Sequence, residues 1–269
     1  MGLSQIIKRI LPLLLLLQSS CIIEDLVLPA AESMRLEVGM SWRWEKTLYF
    51  EEKVPPSIPP ILYQEIITAR VMSHEVMKSY RCLKLEIYHE GPVTFKWLAN
   101  TDTALLLVAV KGQILDPIFR IGENFTLKMG SKTFHSLHEL KAFMDRITMG
   151  VPGVVTPGDI YFFDPPQKTL DYPLYKGKKW VVFEDPWYRE REVLGTETIE
   201  VPAGTFETIR LMTRDSSLNI ISYDWITEDS YIKKKFIAEI EVLDPNGNYL
   251  GTYILVDEWV LLDGPNALR

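Results

Sequence analysis

The sequence predicts a mainly β fold: two related, curved antiparallel sheet units, arranged as a sandwich or an open half-barrel, with one inserted helix. Three observations predict it. Runs of alternating apolar and polar residues recur along the chain, rich in β-branched and aromatic side chains, and the chain holds 7 Trp, 12 Tyr and 11 Phe. Such residues fit a pleated, half-buried surface. Turn chemistry separates the runs, and a single mid-chain segment has helical spacing. With 269 residues and 47% hydrophobic content, the chain can bury a substantial core in one or two domains.

Residues 1–20 read as a signal peptide. Lys8 and Arg9 close a positive region, Ile10 to Leu17 is a short apolar stretch, and Gln18-Ser19-Ser20 leads to Cys21. The apolar stretch is too short to span a hydrocarbon core of about 30 Å. The ending resembles a bacterial lipobox. Ser19, Ser20 and Cys21 fit that motif, whereas Gln18 stands where an aliphatic residue is usual and Leu17 sits one place early. The resemblance implies a diacylglycerol on Cys21, a membrane anchor, and residues 21–35 as lipidated N-terminus and tether. The alternative is ordinary cleavage near Ala30-Ala31, which would release a soluble periplasmic or secreted protein.

The first β unit is expected over 36–150. Its strands are Ser41–Phe50, Gln64–Met77, Tyr80–His89, Thr94–Ala99 and Ala104–Val110, with a stiff loop at Pro55-Pro56-Ser57-Ile58-Pro59-Pro60. Cys82 alternates in phase with Lys84 and Glu86 and has no neighbouring base, so its thiol reads as structural. A Cys21–Cys82 disulfide is the rival reading. The helix is expected near 136–147: Ser136 and Glu139 have capping-box spacing, and Leu137, Leu140, Phe143, Met144 and Ile147 follow at helical intervals.

The second unit, 151–269, is expected to hold strands at Trp180–Phe183, Tyr188–Val201, Phe206–Thr213, Asn219–Ile226, Tyr231–Leu243 and Tyr249–Leu262. Asp244-Pro245-Asn246-Gly247-Asn248 reads as a hairpin turn, because Asn-Gly tolerates positive φ. The two units look alike. Gly39-x-x-Trp42 matches Gly177-x-x-Trp180, Tyr80–Leu85 matches Phe206–Leu211, and Phe95-Lys96-Trp97-Leu98 matches Tyr223-Asp224-Trp225-Ile226. These matches suggest a divergent internal duplication.

Glu197-Thr198-Ile199-Glu200-Val201-Pro202-Ala203-Gly204-Thr205-Phe206 carries a V-P-A-G-x-F hairpin. Over roughly 170–262 the chain resembles uncharacterised bacterial exported and lipoprotein β-proteins that share it. The resemblance implies a curved antiparallel sheet related to the open barrels of periplasmic lipoprotein carriers, and no activity.

The net charge is −7, and loss of Lys8 and Arg9 takes it to about −9. Such a body does not suit a phosphate backbone, so no nucleic-acid partner is expected. The one basic run, Lys233-Lys234-Lys235, reads as a solvated strand face or turn. Ser230-x-x-Lys233 has the S-x-x-K spacing, but in extended chain i and i+3 point to opposite faces. His135 and His138 lack the spacing of a metal-binding helix, and His74 and His89 read as surface polarity. Asp244-x-Asn246-x-Asn248 begins like a calcium loop but ends at Leu255, which supplies no carboxylate. Glu184-Asp185, Asp224 with Glu228-Asp229, and Asp257-Glu258 could each flank a sugar, but read as ordinary strand-end acids. No catalytic residue, cofactor or metal is assigned. Trp42, Trp44 and Trp180 are expected in the core, and Trp187 with Tyr188 at an exposed partner contact.

The function expected is that of a non-enzymatic, membrane-anchored envelope lipoprotein, a binding or assembly module holding an apolar ligand or an envelope protein on a curved sheet. The alternative is an envelope enzyme with an unrecognised site, for example a carbohydrate-active one.

Overall fold

The structure, a computed structural model, describes residues 33–52, 61–89, 93–112, 125–149, 158–184, 188–215 and 220–267. The signal peptide, Cys21 and Trp187 lie outside the described residues. The strands are β1 (Met40–Phe50), β2 (Ile61–Met77), β3 (Tyr80–Tyr88), β4 (Val93–Asn100), β5 (Ala104–Gly112), β6 (Thr126–Met129), β7 (Lys132–Phe134), β8 (Ile160–Asp171), β9 (Lys179–Phe183), β10 (Arg189–Val201), β11 (Gly204–Asp215), β12 (Ile220–Ile226), β13 (Tyr231–Leu243) and β14 (Tyr249–Ala267). The helix α1 (Leu137–Met149) lies between β7 and β8.

The strands bond in the order β8-β5-β4-β3-β2-β1-β14-β13-β12-β11-β10-β9. All neighbours on this path are antiparallel, so twelve strands make a nearly closed barrel of two six-stranded meanders. The two expected units are therefore halves of one sheet. β8, although it lies beyond residue 150, bonds to β5 of the first meander. β6 and β7 form a small hairpin attached to β13.

The two junctions between meanders differ. β1 and β14 form a ladder from Met40↔Ala267 to Phe50↔Leu255. Between β8 and the β9–β10 pair, side chains bridge instead: Trp180 Nε1 of β9 donates to the Lys168 carbonyl at 3.0 Å, and Arg191 Nη1 of β10 to that of Thr169 at 2.7 Å. β8 was not among the strands expected, because Pro165-Pro166 cannot donate to a ladder. Its pairing with β5 is interrupted there, resuming at Gln167↔Leu107 after Phe162↔Ala109.

Local geometry recurs between the halves. Gly39 N–H donates to the Val71 carbonyl at 2.9 Å and Gly177 N–H to that of Val193 at 2.8 Å, both glycines having positive φ. β2 bulges between Val71 and Ser73, and β10 between Val193 and Gly195. Thr101 N–H closes the β4–β5 turn on Ala104 O, and Thr227 N–H closes the β12–β13 turn on Ser230 O.

An aromatic clamp also recurs. Trp97 Nε1 donates to Glu75 at 2.7 Å, and Lys84, salt-bridged to Glu75, lies over Phe95 and Trp97. In the other half Trp225 Nε1 donates to Glu197 at 3.0 Å, and Arg210, salt-bridged to Glu197, lies over Tyr223 and Trp225. The ring pairs are tilted alike, by 42° and 45°.

The expected turns form. Val201 pairs with Gly204 across Pro202-Ala203, and Phe206 packs against the core cluster around Val201. Asp244 accepts from the Asn246 and Asn248 N–H groups, and Gly247 takes positive φ. Ser136 caps α1 by accepting from Glu139 N–H, and the Glu139 carboxylate reaches back to His135 N–H.

Leu140, Phe143, Met144 and Ile147 of α1 pack with the β6–β7 hairpin against Leu48, Phe50, Phe236, Ile240 and Leu255. Each such fully buried side chain contributes about 1.5–3 kcal/mol. α1 therefore covers the barrel end where β1 and β13 finish. The opposite end is crossed by the chain just before β1. Met34 is buried, its N–H donates to Tyr172 Oη, and its carbonyl accepts from Asn100 Nδ2. Arg35 grips Asp229 with two hydrogen bonds. Met34 and Arg35 thus pack onto the folded body.

Candidate functional site

Between the α1 end and the Met34–Leu36 strap, the barrel holds a partly open cavity of about 220 Å³. Its apolar wall comes from Trp42 and Trp44 of β1, Ile67 and Ala69 of β2, Leu85 and Ile87 of β3, Leu98 of β4, and Leu105 and Leu107 of β5. Alternation delivers these residues to one face: Trp42 stands opposite Ala69 and Trp44 opposite Ile67, in register. The Trp42 and Trp44 rings stack 6.3 Å apart, and Trp44 Nε1 is anchored on Tyr231 O. Trp180 is buried in the cluster behind this wall. The expectation that these three tryptophans pack inward holds, and two of them line a void.

The other wall is ionic. Arg189 holds Asp215 through two hydrogen bonds and also donates to the Ile147 carbonyl of α1. Arg191 donates to Asp224 at 2.7 Å. Closer to α1, Lys46 is 1% exposed and lies 2.6 Å from Asp145, 3.5 Å from Asp257 and 3.6 Å from Glu65. Lys141 reaches Asp145 and Glu65, and His89 also approaches Glu65.

Burial alone would pull the Lys46 proton off, but Asp145, Asp257 and Glu65 hold its pKa above the ordinary lysine value. Burial raises Glu65, yet the His89 hydrogen bond and the Lys46 and Lys141 ammoniums bring it down to about 2. Asp145 is likewise held below the carboxylate range, its two lysines outweighing burial. Asp257 is raised, because burial outweighs Lys46.

Two lysines differ from the rest. Lys96 of β4 and Lys234 of β13 both line the cavity, and among the described residues neither makes an ion pair. Lys234 lies 6.0 Å from the Trp259 ring, which Lys46 also approaches at 5.5 Å and whose N–H donates to Asp257. The carboxylate opposite Lys234 in register, Asp224, is already bonded to Arg191. Burial, with Lys234, Arg191 and Arg189 nearby, lowers Lys96 to about 7. Burial also lowers Lys234, which Asp224 only partly relieves.

Several sequence expectations change here. The Lys233-Lys234-Lys235 run is not a solvated face throughout. Lys233 and Lys235 pair outward with Glu258 and Glu51, while Lys234 turns into the barrel. His89 is buried and lines the cavity rather than lying at the surface. Ser230 Oγ donates to Tyr231 O, away from any Lys233 contact. Asp224, Asp229, Asp257 and Glu258 are each tied to a basic partner. Cys82 is a free, buried thiol raised by desolvation. Among the described residues no group of His, Cys, Asp or Glu is placed to hold a metal ion, and no helix is long and apolar enough to cross a membrane. Tyr188 is exposed at the start of β10, bonded to Glu190.

The lumen charges had one sequence signal. Lys46 stands in phase with Trp42, Trp44 and Leu48, and Glu65 in phase with Ile67, Ala69 and Val71. A charge in the apolar phase of a strand marks a buried polar position.

No protein-family model matches the chain, and no curated protein matches it. Among solved structures it is similar to a "putative lipoprotein" from Parabacteroides distasonis ATCC 8503, with 13% identity over 86% of this chain and 96% of that one, TM-score 0.29. It is also similar to a "putative exported protein with YmcC-like fold" from Bacteroides fragilis NCTC 9343, with 12% identity over 86% and 98% of the chains, TM-score 0.31. At TM-scores this low the likeness carries no argument, and function has to be argued from this chain's own residues.

Proposed function

We propose that the protein is an exported envelope lipoprotein, anchored through Cys21, that holds an apolar molecule inside its barrel without transforming it. The cavity carries this reading. Side chains just fill a barrel of about eight strands, and the interior widens with strand number; here twelve strands leave a space of about 220 Å³ between α1 and the Met34–Leu36 strap. A void of about 150 Å³ already suffices for benzene. The apolar wall supplies the driving force for uptake, and the paired charges hold the barrel and α1 in place around it.

The direct test is binding of an uncharged fluorescent naphthylamine, compared with Ala69→Phe, which places a ring in the cavity. Saturable binding lost in the variant supports the reading. Binding unchanged in the variant, or none in the wild type, removes it. The anchor is tested by membrane fractionation of Cys21→Ala: release or failed processing supports lipidation, and unchanged behaviour with cleavage downstream refutes it. Trp187 and Tyr188 are the proposed contact with an envelope partner.

The recurrent bulges, turns and clamps support an origin of the two meanders by internal duplication. The barrel is then a fused pair whose lumen faces have diverged.

A further inference from the structure

We infer that the molecule held in the barrel is an anionic amphiphile, its chain against the apolar wall and its acidic head between Lys96 and Lys234. The inference rests on the reading of the lumen as an apolar-ligand site and specifies what that ligand carries. The two lysines stand five strands apart along the sheet and face one another across the cavity. Around them, Arg189 is matched by Asp215 and Arg191 by Asp224. With the Lys46 cluster included, six cations (Lys46, Lys96, Lys141, Lys234, Arg189 and Arg191) face five carboxylates (Glu65, Asp145, Asp215, Asp224 and Asp257), a surplus of one in a protein whose overall charge is −7. A low-dielectric site with a surplus of positive charge is complementary to an anion, which would restore the balance that the fold leaves open.

The geometry also separates the two ends of such a ligand. Leu85, Leu98 and Leu105 carry no polar side-chain atom, the Trp44 indole N–H is taken up by the Tyr231 carbonyl, and the Trp42 indole N–H is the one uncommitted donor among these five, whereas Lys96 precedes Leu98 on the same face of β4. Neutral and cationic amphiphiles would gain the apolar wall but leave the two ammoniums unpaired or repelled. The depressed pKa of Lys96 agrees with a site strained by its own positive charge.

The test is titration calorimetry of the full mature protein with dodecanoate, dodecyl phosphate, dodecanol and dodecyltrimethylammonium below their micelle concentrations. The wild type is compared with Lys96→Met, Lys234→Met and the double variant, each checked for folding by circular dichroism. The expected result is tighter binding of dodecanoate or dodecyl phosphate than of dodecanol by tenfold or more. Each methionine should lower anion affinity about tenfold while leaving dodecanol unchanged. The better of the two anions identifies a carboxylate or a phosphate head. Equal affinity for anion and alcohol, or equal loss of both in the variants, overturns the anionic inference and leaves the apolar site standing. Binding of none of the four overturns both. If Lys96→Met fails to fold, Lys96→Gln takes its place under the same criteria.

Discussion

The two halves of the barrel share an outer face and differ in an inner one. On the outside, Glu75, Lys84, Phe95 and Trp97 are arranged as Glu197, Arg210, Tyr223 and Trp225 are. On the inside, the position of Lys96, opposite Leu85, corresponds to that of Asp224, opposite Leu211. Counting back from the matched bulges at Val71 and Val193, Ala69 corresponds to Arg191 and Ile67 to Arg189. The second half therefore carries a complete Arg191–Asp224 pair, where the first half has Ala69 and Lys96 at the corresponding positions. The outer clamp is a device of architecture, needed twice. The inner face is free to specialise, and the unmatched Lys96 follows from that divergence.

The comparison is broken most forcefully at the lumen lysines. Lys46 serves three carboxylates, so Lys46→Met should cost about 3–5 kcal/mol, as expected when a buried charge cluster loses one partner. Lys96→Met, which removes a cation with no partner, should be neutral or stabilising by up to about 1 kcal/mol. Urea unfolding of both variants measures this. Equal destabilisation would mean that Lys96 is held by contacts equivalent to those of Lys46, and the asymmetry argument would fail.

The junctions give the next effect. Trp180→Phe removes the donor that bridges β9 to the Lys168 carbonyl, at a cost of about 1–2 kcal/mol for a buried acceptor left unmade. Amide hydrogen exchange should quicken in β8 and β9 while the β1–β14 ladder stays protected. Uniform quickening around the ring would show that the two junctions open together.

The clamps should respond alike and more weakly. Trp97→Phe and Trp225→Phe each lose one hydrogen bond to a partly exposed glutamate, worth about 1 kcal/mol. Double-mutant cycles with Glu75→Gln and Glu197→Gln should give coupling energies that agree within about 0.5 kcal/mol. A large difference would mean that the shared geometry hides unequal roles.

All eleven strands expected from alternation form, as do the Ser136 cap, the Val201–Gly204 hairpin and the Asp244–Asn248 turn, because each is encoded within a few residues. The closure of β14 onto β1 was not legible, since a barrel and a sandwich use the same alternation. Nor was the inward turn of Lys234. Period two says that it opposes Lys233, but not which of them faces in. β4 shows why: Trp97 and Ala99, on the outer face, are as buried as an inner set, packing with Cys82 and Val108. The void had no signal, because it depends on how side chains from both halves fill a shared interior. β8 was hidden by its prolines, and its place at the end of the hydrogen-bonded path is where such a strand is tolerated.

The last expected effect concerns pH and isolates Lys96 from the other cations. Its pKa is lowered to about 7 from the ordinary 10.5 by burial and by Lys234, Arg191 and Arg189, against which Asp224 pulls only partly. Between those two values the unfolded chain binds more protons than the folded one, so stability rises with pH across that window. Below the folded value both states carry the proton and the full cost of the buried charge is present. Above 10.5 neither does. Urea midpoints taken between pH 7 and 9 should therefore climb in the wild type and climb less in Lys96→Met. Identical slopes would show that the folded lysine keeps its ordinary affinity for protons, and hence that the lumen already neutralises it.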